Sequence, residues 1–153
     1  MEPHRRPKVV QAGEGMRLNV QVILFTYKAR SEDTDGKYAL TEGVAPPHRG
    51  APTHIHHRED EALYILDGDF EIECGGKTFH AGPGTFALLP KNLPHRFQNL
   101  SVQPGKVLCV QSPGGVEEFF EHMSLLAKAG PPDPAKIREL TKTSGHLSLS
   151  SRR

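Results

Sequence analysis

Three histidines and a glutamate are spaced along this sequence in a way that suits metal coordination. One residue separates His54 from His56, and Glu61 follows after four more. Because side chains alternate across a strand, the two imidazoles would share a face with their Cα atoms about 7 Å apart, within reach of one ion. Glu61 opens the next predicted strand, where its carboxylate could add an oxygen ligand or stand beside the metal as a base.

The third histidine of this group, His95, lies at the start of another predicted strand. An apolar run ends at Pro90, a turn follows, and His95 then shares one strand face with Phe97 and Asn99. By itself, a single histidine in this position is more often a core or surface residue than a ligand. Its role therefore depends on the wider pattern in which it occurs.

Short runs rich in β-branched and aromatic residues, separated by glycine and proline, predict an all-β fold. The 153 residues include 15 glycines and 13 prolines, spread along the chain. Asp67-Gly68 and Gly75-Gly76 are typical of tight hairpin turns. The predicted strands are Asn19–Lys28, Tyr38–Val44, Pro52–His57, Glu61–Leu66, Asp69–Cys74, Lys77–His80, Thr85–Leu89, His95–Asn99 and Lys106–Ser112.

A helical pattern replaces the strand pattern after Ser112. Apolar residues at helical spacing predict an amphipathic helix over about 116–128, which we expect to cap an open end or edge of the β-structure. A second short helix is predicted over Pro134–Thr143. We expect one domain over residues 1–130, with a β-core at about 38–112, and a partly mobile C-terminal extension over 131–153.

The two histidine-containing stretches resemble the two motifs of the cupin superfamily. The first reads His54-x-His56-x4-Glu61-x6-Gly68, and the second reads Gly84-x5-Pro90-x-Asn92-x2-His95-x3-Asn99. The resemblance implies a small jelly-roll barrel with a C-terminal helical segment. It also implies one divalent transition metal ion (Fe, Mn, Ni, Co, Cu or Zn), with the ligands His54, His56, Glu61 and His95.

Two positions depart from the family pattern. The first motif normally opens with a glycine five residues before its first histidine, but here Gly50 lies closer. This difference leaves the pocket entrance, and hence the substrate, open. Asn92 replaces the usual glycine of the second motif. Because asparagine tolerates a positive φ, we expect the turn before His95 to survive.

Within the superfamily, both motifs look most like the group related to quercetin 2,3-dioxygenases. That resemblance implies a metal-dependent dioxygenase that acts on a small aromatic or enediol-like substrate. Glu61 would be its catalytic residue: it would take a hydroxyl proton before O2 opens the ring with loss of carbon monoxide. Two alternatives stay open, a non-catalytic metal-dependent small-molecule binder or sensor, and a non-oxidative metalloenzyme such as an isomerase or decarboxylase.

Apolar residues of the predicted strands are expected to line the pocket: Leu63, Ile65, Phe86 or Leu88, Phe97 and Leu108. His57 is expected to face away from the site, and Arg58–Asp60 is expected to form the turn between two strands. The remaining histidines are assigned to loops, a strand end, the tails or the capping helix: His4, His48, His80, His122 and His146.

Charge and hydropathy argue against several classes of partner. The chain has 19 basic and 18 acidic residues and a net charge of +1, which does not suit a dedicated nucleic-acid binder. The sequence has no run near the roughly 18 apolar residues of a membrane span, and no apolar signal segment near residue 1. We therefore expect a cytoplasmic protein that binds a small molecule and neither nucleic acid nor membrane.

Two further expectations concern assembly and redox state. The long apolar run Asn19–Tyr27 is expected to be an edge strand that pairs with a second copy in a homodimer, and coverage by the 117–128 helix is the alternative. Cys74 and Cys109 are expected to be reduced, buried thiols, with a disulfide between neighbouring strands as the alternative.

Overall fold

The computed structural model describes residues 6–131 and 133–149. Within these ranges the chain forms strands, a short 3-10 helix at Ser31–Thr34, and two α-helices, α1 (Glu117–Lys128) and α2 (Pro134–Ser144). The strands are β1 (Arg17–Val20), β2 (Ile23–Ala29), β3 (Ala39–Ala45), β4 (Gly50–His56), β5 (Asp60–Asp67), β6 (Phe70–Cys74), β7 (Lys77–Ala81), β8 (Phe86–Leu89), β9 (His95–Asn99), β10 (Gly105–Ser112) and β11 (Leu147–Leu149).

The strands form two antiparallel sheets around an apolar core. One sheet has the order β1-β2-β3-β10-β5-β8, and the other has the order β11-β4-β9-β6-β7. Alternate side chains of β10 and β6 are buried, as expected for strands with one face on a core. The predicted all-β jelly-roll barrel is confirmed. Cys74 and Cys109 are free and buried, as predicted.

The first predicted strand is wrong in one respect, because residues 19–28 do not form a continuous strand. β1 and β2 are joined by a tight turn, with Val20 opposite Ile23. Gln21 has a φ of 55° in this turn. Apolar and polar residues alternate through the turn, and no glycine or proline marks it in the sequence. The other eight predicted strands are present, with ends within two residues of those predicted.

The β1–β2 hairpin weakens the argument for a homodimer, which assumed that residues 19–27 form one exposed edge strand. β2 pairs with β1 on one side and with β3 on the other, so its edges are occupied within the chain. The outer strand is the shorter β1, and α1 packs against it. Coverage by the helix, the stated alternative, therefore accounts for this edge, and the homodimer stays a prediction.

Both predicted helices are confirmed, but the sequence missed strand β11. This strand pairs with the edge of β4, with Leu147 opposite His56 and Leu149 opposite His54. The segment assigned to a C-terminal extension thus adds a strand to the sheet that carries two predicted ligands. Residues 150–153 of the extension lie outside the described residues. Neither α1 nor α2 is long and apolar enough to cross a bilayer.

Gly50 permits the close approach of β4 to β9. A Cβ atom at this position would lie 1.9 Å from the Phe97 carbonyl oxygen. Neither Gly50 nor Gly82 has a φ in the left-handed region, and a Cβ at Gly82 would lie at an ordinary 3.5 Å from its nearest neighbour, Asp69 Oδ1. Replacing either glycine by alanine has a similar effect on backbone entropy, but only the change at Gly50 creates a steric clash. A comparison of the two variants therefore isolates the effect of the clash.

We predict that Gly50→Ala lowers the free energy of unfolding by about 1–3 kcal/mol, because β4 must move away from β9. Gly82→Ala should change it by less than about 0.5 kcal/mol. Urea unfolding of both variants, followed by circular dichroism, measures the difference. Equal midpoints for the two variants would show that the strands tolerate a side chain at position 50.

Candidate metal centre

The structure brings all four predicted ligand residues together inside the barrel. His54 and His56 lie on β4, and His95 begins β9, which pairs with β4 so that His54 and His95 are opposite. Glu61 reaches them from β5 in the other sheet. All four residues are buried, and one potential ligand atom from each lies within 4.8 Å of the others.

Backbone carbonyl groups determine how two of the rings are oriented. His54 Nδ1 lies 2.7 Å from the Pro52 carbonyl oxygen, and His95 Nδ1 lies 3.1 Å from that of Leu93. A carbonyl oxygen can only accept, so each Nδ1 carries the proton and donates it. Each Nε2 therefore faces the centre of the site, where its lone pair can bind a metal ion.

His56 is held in the same way by a side chain. Its Nδ1 lies 3.3 Å from Glu59 Oε2, and its buried Nε2 has no hydrogen-bond partner. That Nε2 lies 3.8 Å from Glu61 Oε2, while His95 Nε2 lies 3.0 Å from the same oxygen. A proton between His95 Nε2 and Glu61 Oε2 makes this contact a hydrogen bond, whereas the lone pair of His56 Nε2 has no partner. A cation at the centre of the site would replace that proton and would also bind the free nitrogen.

The pKa values of His54 and Glu61 leave both groups in the form that can bind a metal ion. Burial, and after it the charges of His95 and His56, lower the pKa of His54 to about 3. Burial raises the pKa of Glu61, but the hydrogen bond from His95 and the charges of the histidines outweigh it, and the pKa falls to about 2. At neutral pH, His54 is a neutral imidazole and Glu61 is ionised, as metal ligands must be.

This donor set fits a divalent transition metal. Three imidazole nitrogens and one carboxylate oxygen are ligands that Fe, Mn, Co, Ni, Cu and Zn all accept. The chain thus carries a buried His and Glu cluster that could hold a metal ion.

Gln111 is a neighbour of the site that the sequence analysis missed. It lies on β10 directly opposite Glu61, and its Nε2 donates a hydrogen bond to Glu61 Oε1 at 2.8 Å. Both side chains are buried. Gln111 therefore holds one carboxylate oxygen, while the other oxygen faces the histidines. Strand alternation predicts that Gln111 and Cys109 share one face of β10. It does not predict that Gln111 lies opposite Glu61, because that pairing depends on the register between β10 and β5.

Glu59 is a second residue that the sequence analysis missed. We expected it in a turn, but it is fully buried, and β5 begins directly after it. One carboxylate oxygen accepts the hydrogen bond of His56, and the other contacts Nδ1 of His146. His146 was assigned to a loop or tail without a role at the site; it does lie in the bend between α2 and β11, but its ring contacts Glu59. The contact could not be predicted because His146 lies far from Glu59 and His56 in the sequence.

An apolar cavity of about 50 Å³ reaches the cluster from one side. Its lining includes two of the predicted ligands and side chains from β9 and α1: His54, Glu61, Phe97, Phe119, Phe120 and Met123. The Phe120 ring stacks on Phe25 of β2, with ring centroids 5.7 Å apart. Side chains of α1 therefore form one wall of the cavity that reaches Glu61.

The predicted pocket wall is partly wrong. Phe97 lines the cavity, and Leu63 and Ile65 are buried in the barrel core. Phe86 and Leu88 are 62% and 58% exposed, because β8 presents Ala87 and Leu89 to the inside. Leu108 also lies on the outer face of its strand, next to the inward-facing Val107 and Cys109. All four residues of β8 are apolar, so alternation could not identify its inner face.

The remaining histidines lie away from the cluster. His57 is exposed, and its Nε2 is hydrogen-bonded to Ser148 Oγ at 2.9 Å, so it faces away from the site as predicted. His80 and His122 are exposed, and His48 lies in the loop before β4. His4 lies outside the described residues. Asn92 has a φ of 66°, so the turn before His95 survives as predicted.

Comparisons with known proteins match the part of the chain that contains both motifs. The Cupin domain family matches residues 41–111. Quercetin 2,3-dioxygenase of Bacillus subtilis is 30% identical over 114 residues, which cover 74% of this chain and 34% of that protein. L-ectoine synthase of Vibrio campbellii is 34% identical over 81 residues, covering 52% of this chain and 63% of that protein. The chain thus spans less than two thirds of either relative.

Solved structures share the fold. KdgF from Halomonas sp. superposes with a TM-score of 0.66 at 19% identity, covering 74% of this chain and 99% of that one. The polyketide cyclase RemF from Streptomyces resistomycificus superposes with a TM-score of 0.61 at 23% identity, covering 70% and 80%. At these identities the likeness concerns the fold alone. The family match shows that residues 41–111 form a cupin domain, and the two-sheet architecture agrees with it.

We predict that His56→Ala loses stoichiometric metal and remains a folded β-protein, because one of three converging nitrogen donors is removed. His57→Ala is the matched control, because the His57 side chain is next to His56 in the sequence but is exposed to solvent. Elemental analysis of protein purified without an affinity tag gives the metal content, and circular dichroism checks the fold. Equal metal content in the two variants would place the site elsewhere.

Proposed function

We propose that this chain is a metal-dependent dioxygenase of the quercetinase-like cupin type. His54, His56, Glu61 and His95 hold one divalent transition metal ion, and the substrate is a small aromatic or enediol-like molecule. One observation carries the proposal: Glu61 belongs to the ligand cluster and also lines the apolar cavity. A molecule in the cavity meets an ionised carboxylate and the metal position at the same point.

Glu61 acts as a base in this proposal. Gln111 donates to its Oε1, which fixes the carboxylate plane, and Oε2 is directed toward the histidines. A substrate hydroxyl that arrives through the cavity gives its proton to this carboxylate. When bound, the metal supplies Lewis-acid and O2-activating chemistry. The substrate must therefore carry an acidic hydroxyl, as phenols and enediols do.

The cavity wall selects the rest of the substrate. Phe97, Phe119, Phe120 and Met123 offer aromatic and thioether surfaces that suit a flat, apolar molecule and keep water from the reacting groups. The cavity of about 50 Å³ is far below the roughly 300–1,000 Å³ of typical ligand sites. Entry of a substrate therefore requires side chains of α1 to move, and small substrates are favoured over large ones.

The small cavity also favours a second candidate, a non-oxidative metalloenzyme. In that case Glu61 moves a proton within a small substrate, as in an isomerase or decarboxylase, and O2 takes no part. The names of the relatives do not separate the two candidates, because they include a dioxygenase, a synthase and a cyclase. A metal-dependent binder or sensor would use the same ligands without turnover.

Oxygen consumption separates these candidates. Metal-loaded protein is offered a panel of phenols, enediols and diketones, and O2 uptake is followed with an electrode while products are followed by mass spectrometry. Ring-opened products with O2 uptake support the dioxygenase. Product formation that is equally fast without O2 supports the non-oxidative enzyme. Saturable binding with no product supports the binder.

We predict that Glu61→Gln lowers turnover by about 10²–10⁴-fold, because the change keeps an oxygen donor but removes the basic carboxylate. Substrate supplied already ionised, above its own hydroxyl pKa, should recover part of this loss, while the wild type gains little. Steady-state kinetics at saturating metal measures both effects. Glu118→Gln on the exposed side of α1 is the control. Full metal content and full activity at neutral pH in Glu61→Gln would show that Glu61 is neither ligand nor base.

A further inference from the structure

Glu59 is a fully buried carboxylate that lies between two imidazoles. A buried charge is costly unless each of its oxygens has a partner, and here each oxygen faces one histidine. Oε2 accepts a hydrogen bond from His56 Nδ1 at 3.3 Å, and Oε1 contacts Nδ1 of His146. Burial raises the pKa of Glu59, but the hydrogen bonds of the two histidines outweigh burial and lower it.

Arg58 determines which nitrogen of His146 carries the proton. Its Nη1 lies 3.4 Å from His146 Nε2, and a guanidinium can only donate. Nε2 of His146 therefore accepts, and Nδ1 carries the proton that it donates to Glu59. The direction of every hydrogen bond in the chain from Arg58 to His56 is thus determined, and His56 Nε2 is left with its lone pair toward the metal position.

The backbone holds His146 at this place from several sides. Helix α2 ends at Ser144 and is capped by Gly145, which has a φ of 64°, and β11 then pairs with β4 so that Leu147 lies opposite His56. The His57 amide donates to the His146 carbonyl oxygen at 2.7 Å. A Cβ atom at Gly115 would lie 3.4 Å from His146 Cε1, so the ring also packs close to that glycine.

We propose that His146 is a positioning residue of the metal centre. Through Glu59 it fixes the ring plane and the proton position of His56, so the described segment after α2, residues 145–149, takes part in metal binding without supplying a ligand. This inference rests on the proposed metal site. Partners that orient a ligating histidine typically change metal affinity by about 10–100-fold when they are replaced.

A purely structural role for His146 predicts a different effect of its replacement on metal binding. If the contact with Glu59 only anchors β11 to β4, its loss lowers the stability of the metal-free protein but leaves the affinity and the spectrum of the bound metal unchanged. A positioning role changes both, because the ring of His56 is free to rotate. The two roles are therefore separated by metal affinity and metal spectroscopy, which do not depend on catalytic activity.

The experiment measures Co²⁺ binding to untagged, metal-free protein by competition with a chelator, together with the visible absorption of bound Co²⁺. His146→Ala should weaken binding by about tenfold or more and change the spectrum. His146→Asn, whose amide nitrogen corresponds to Nδ1, should recover most of the affinity. Ser148→Ala is the matched control, because it removes a hydrogen bond of β11 to His57 and leaves Glu59 untouched.

A second pair of variants tests the route through Glu59. Glu59→Gln should also weaken Co²⁺ binding, and His146→Ala should add little in that background, since both changes break the same connection. If His146→Ala weakens binding by the same factor with Gln at position 59, the effect does not pass through Glu59 and the inference fails. If His146→Ala does not fold, His146→Gln replaces it, because its amide nitrogen corresponds to Nε2 and does not reach Glu59.

The outcomes also separate this inference from the proposed metal site. Wild-type protein that binds no Co²⁺ overturns both. Wild-type protein that binds Co²⁺, with equal affinity and an equal spectrum in His146→Ala, overturns the inference alone. Weaker binding and a changed spectrum in His146→Ala, with recovery in His146→Asn and no change in Ser148→Ala, support it.

Discussion

The hydrogen bonds donated by Nδ1 of three buried imidazoles are the interactions on which the rest of the site depends. Each ring of His54, His56 and His95 donates a hydrogen bond from Nδ1 to an oxygen that can only accept, so the three Nε2 atoms converge on the carboxylate of Glu61. A proton between His95 and Glu61, or a metal ion in its place, makes this convergence favourable. The two sheets meet around it, because Glu61 comes from one sheet and the histidines come from the other.

Two apolar clusters surround this polar centre and give it a low dielectric environment. The larger cluster fills the barrel between the sheets and includes Phe70 and Ile72. The smaller cluster joins α1, β1, β2 and β11 and includes Phe119 and Leu147. The cavity lies between the clusters, with Glu61 at its polar end. The same helix thus stabilises the fold and, in the proposed function, limits the size of the substrate that reaches the metal position.

Much of the fold and most of the ligand set could be predicted from the sequence, because both depend on local pattern. Period-two alternation and turn residues identify most strands, and motif spacing identifies His54, His56, Glu61 and His95. Prediction failed where the local pattern is compatible with two different structures. β8 is apolar on both faces, so its inner face depends on the register with β5. The turn at Gln21 has no glycine or proline to mark it.

The sequence by itself determined the family, the jelly-roll class and the four residues that converge. Only the tertiary structure decided which side chains hold those four in place. Gln111 reaches Glu61 because β10 pairs with β5, and His146 reaches Glu59 because β11 adds to the edge of β4. These partners are far apart along the chain, and each pairing is favourable only after burial removes water from both groups. Local sequence cannot encode that condition, because the packing of the sheets creates it.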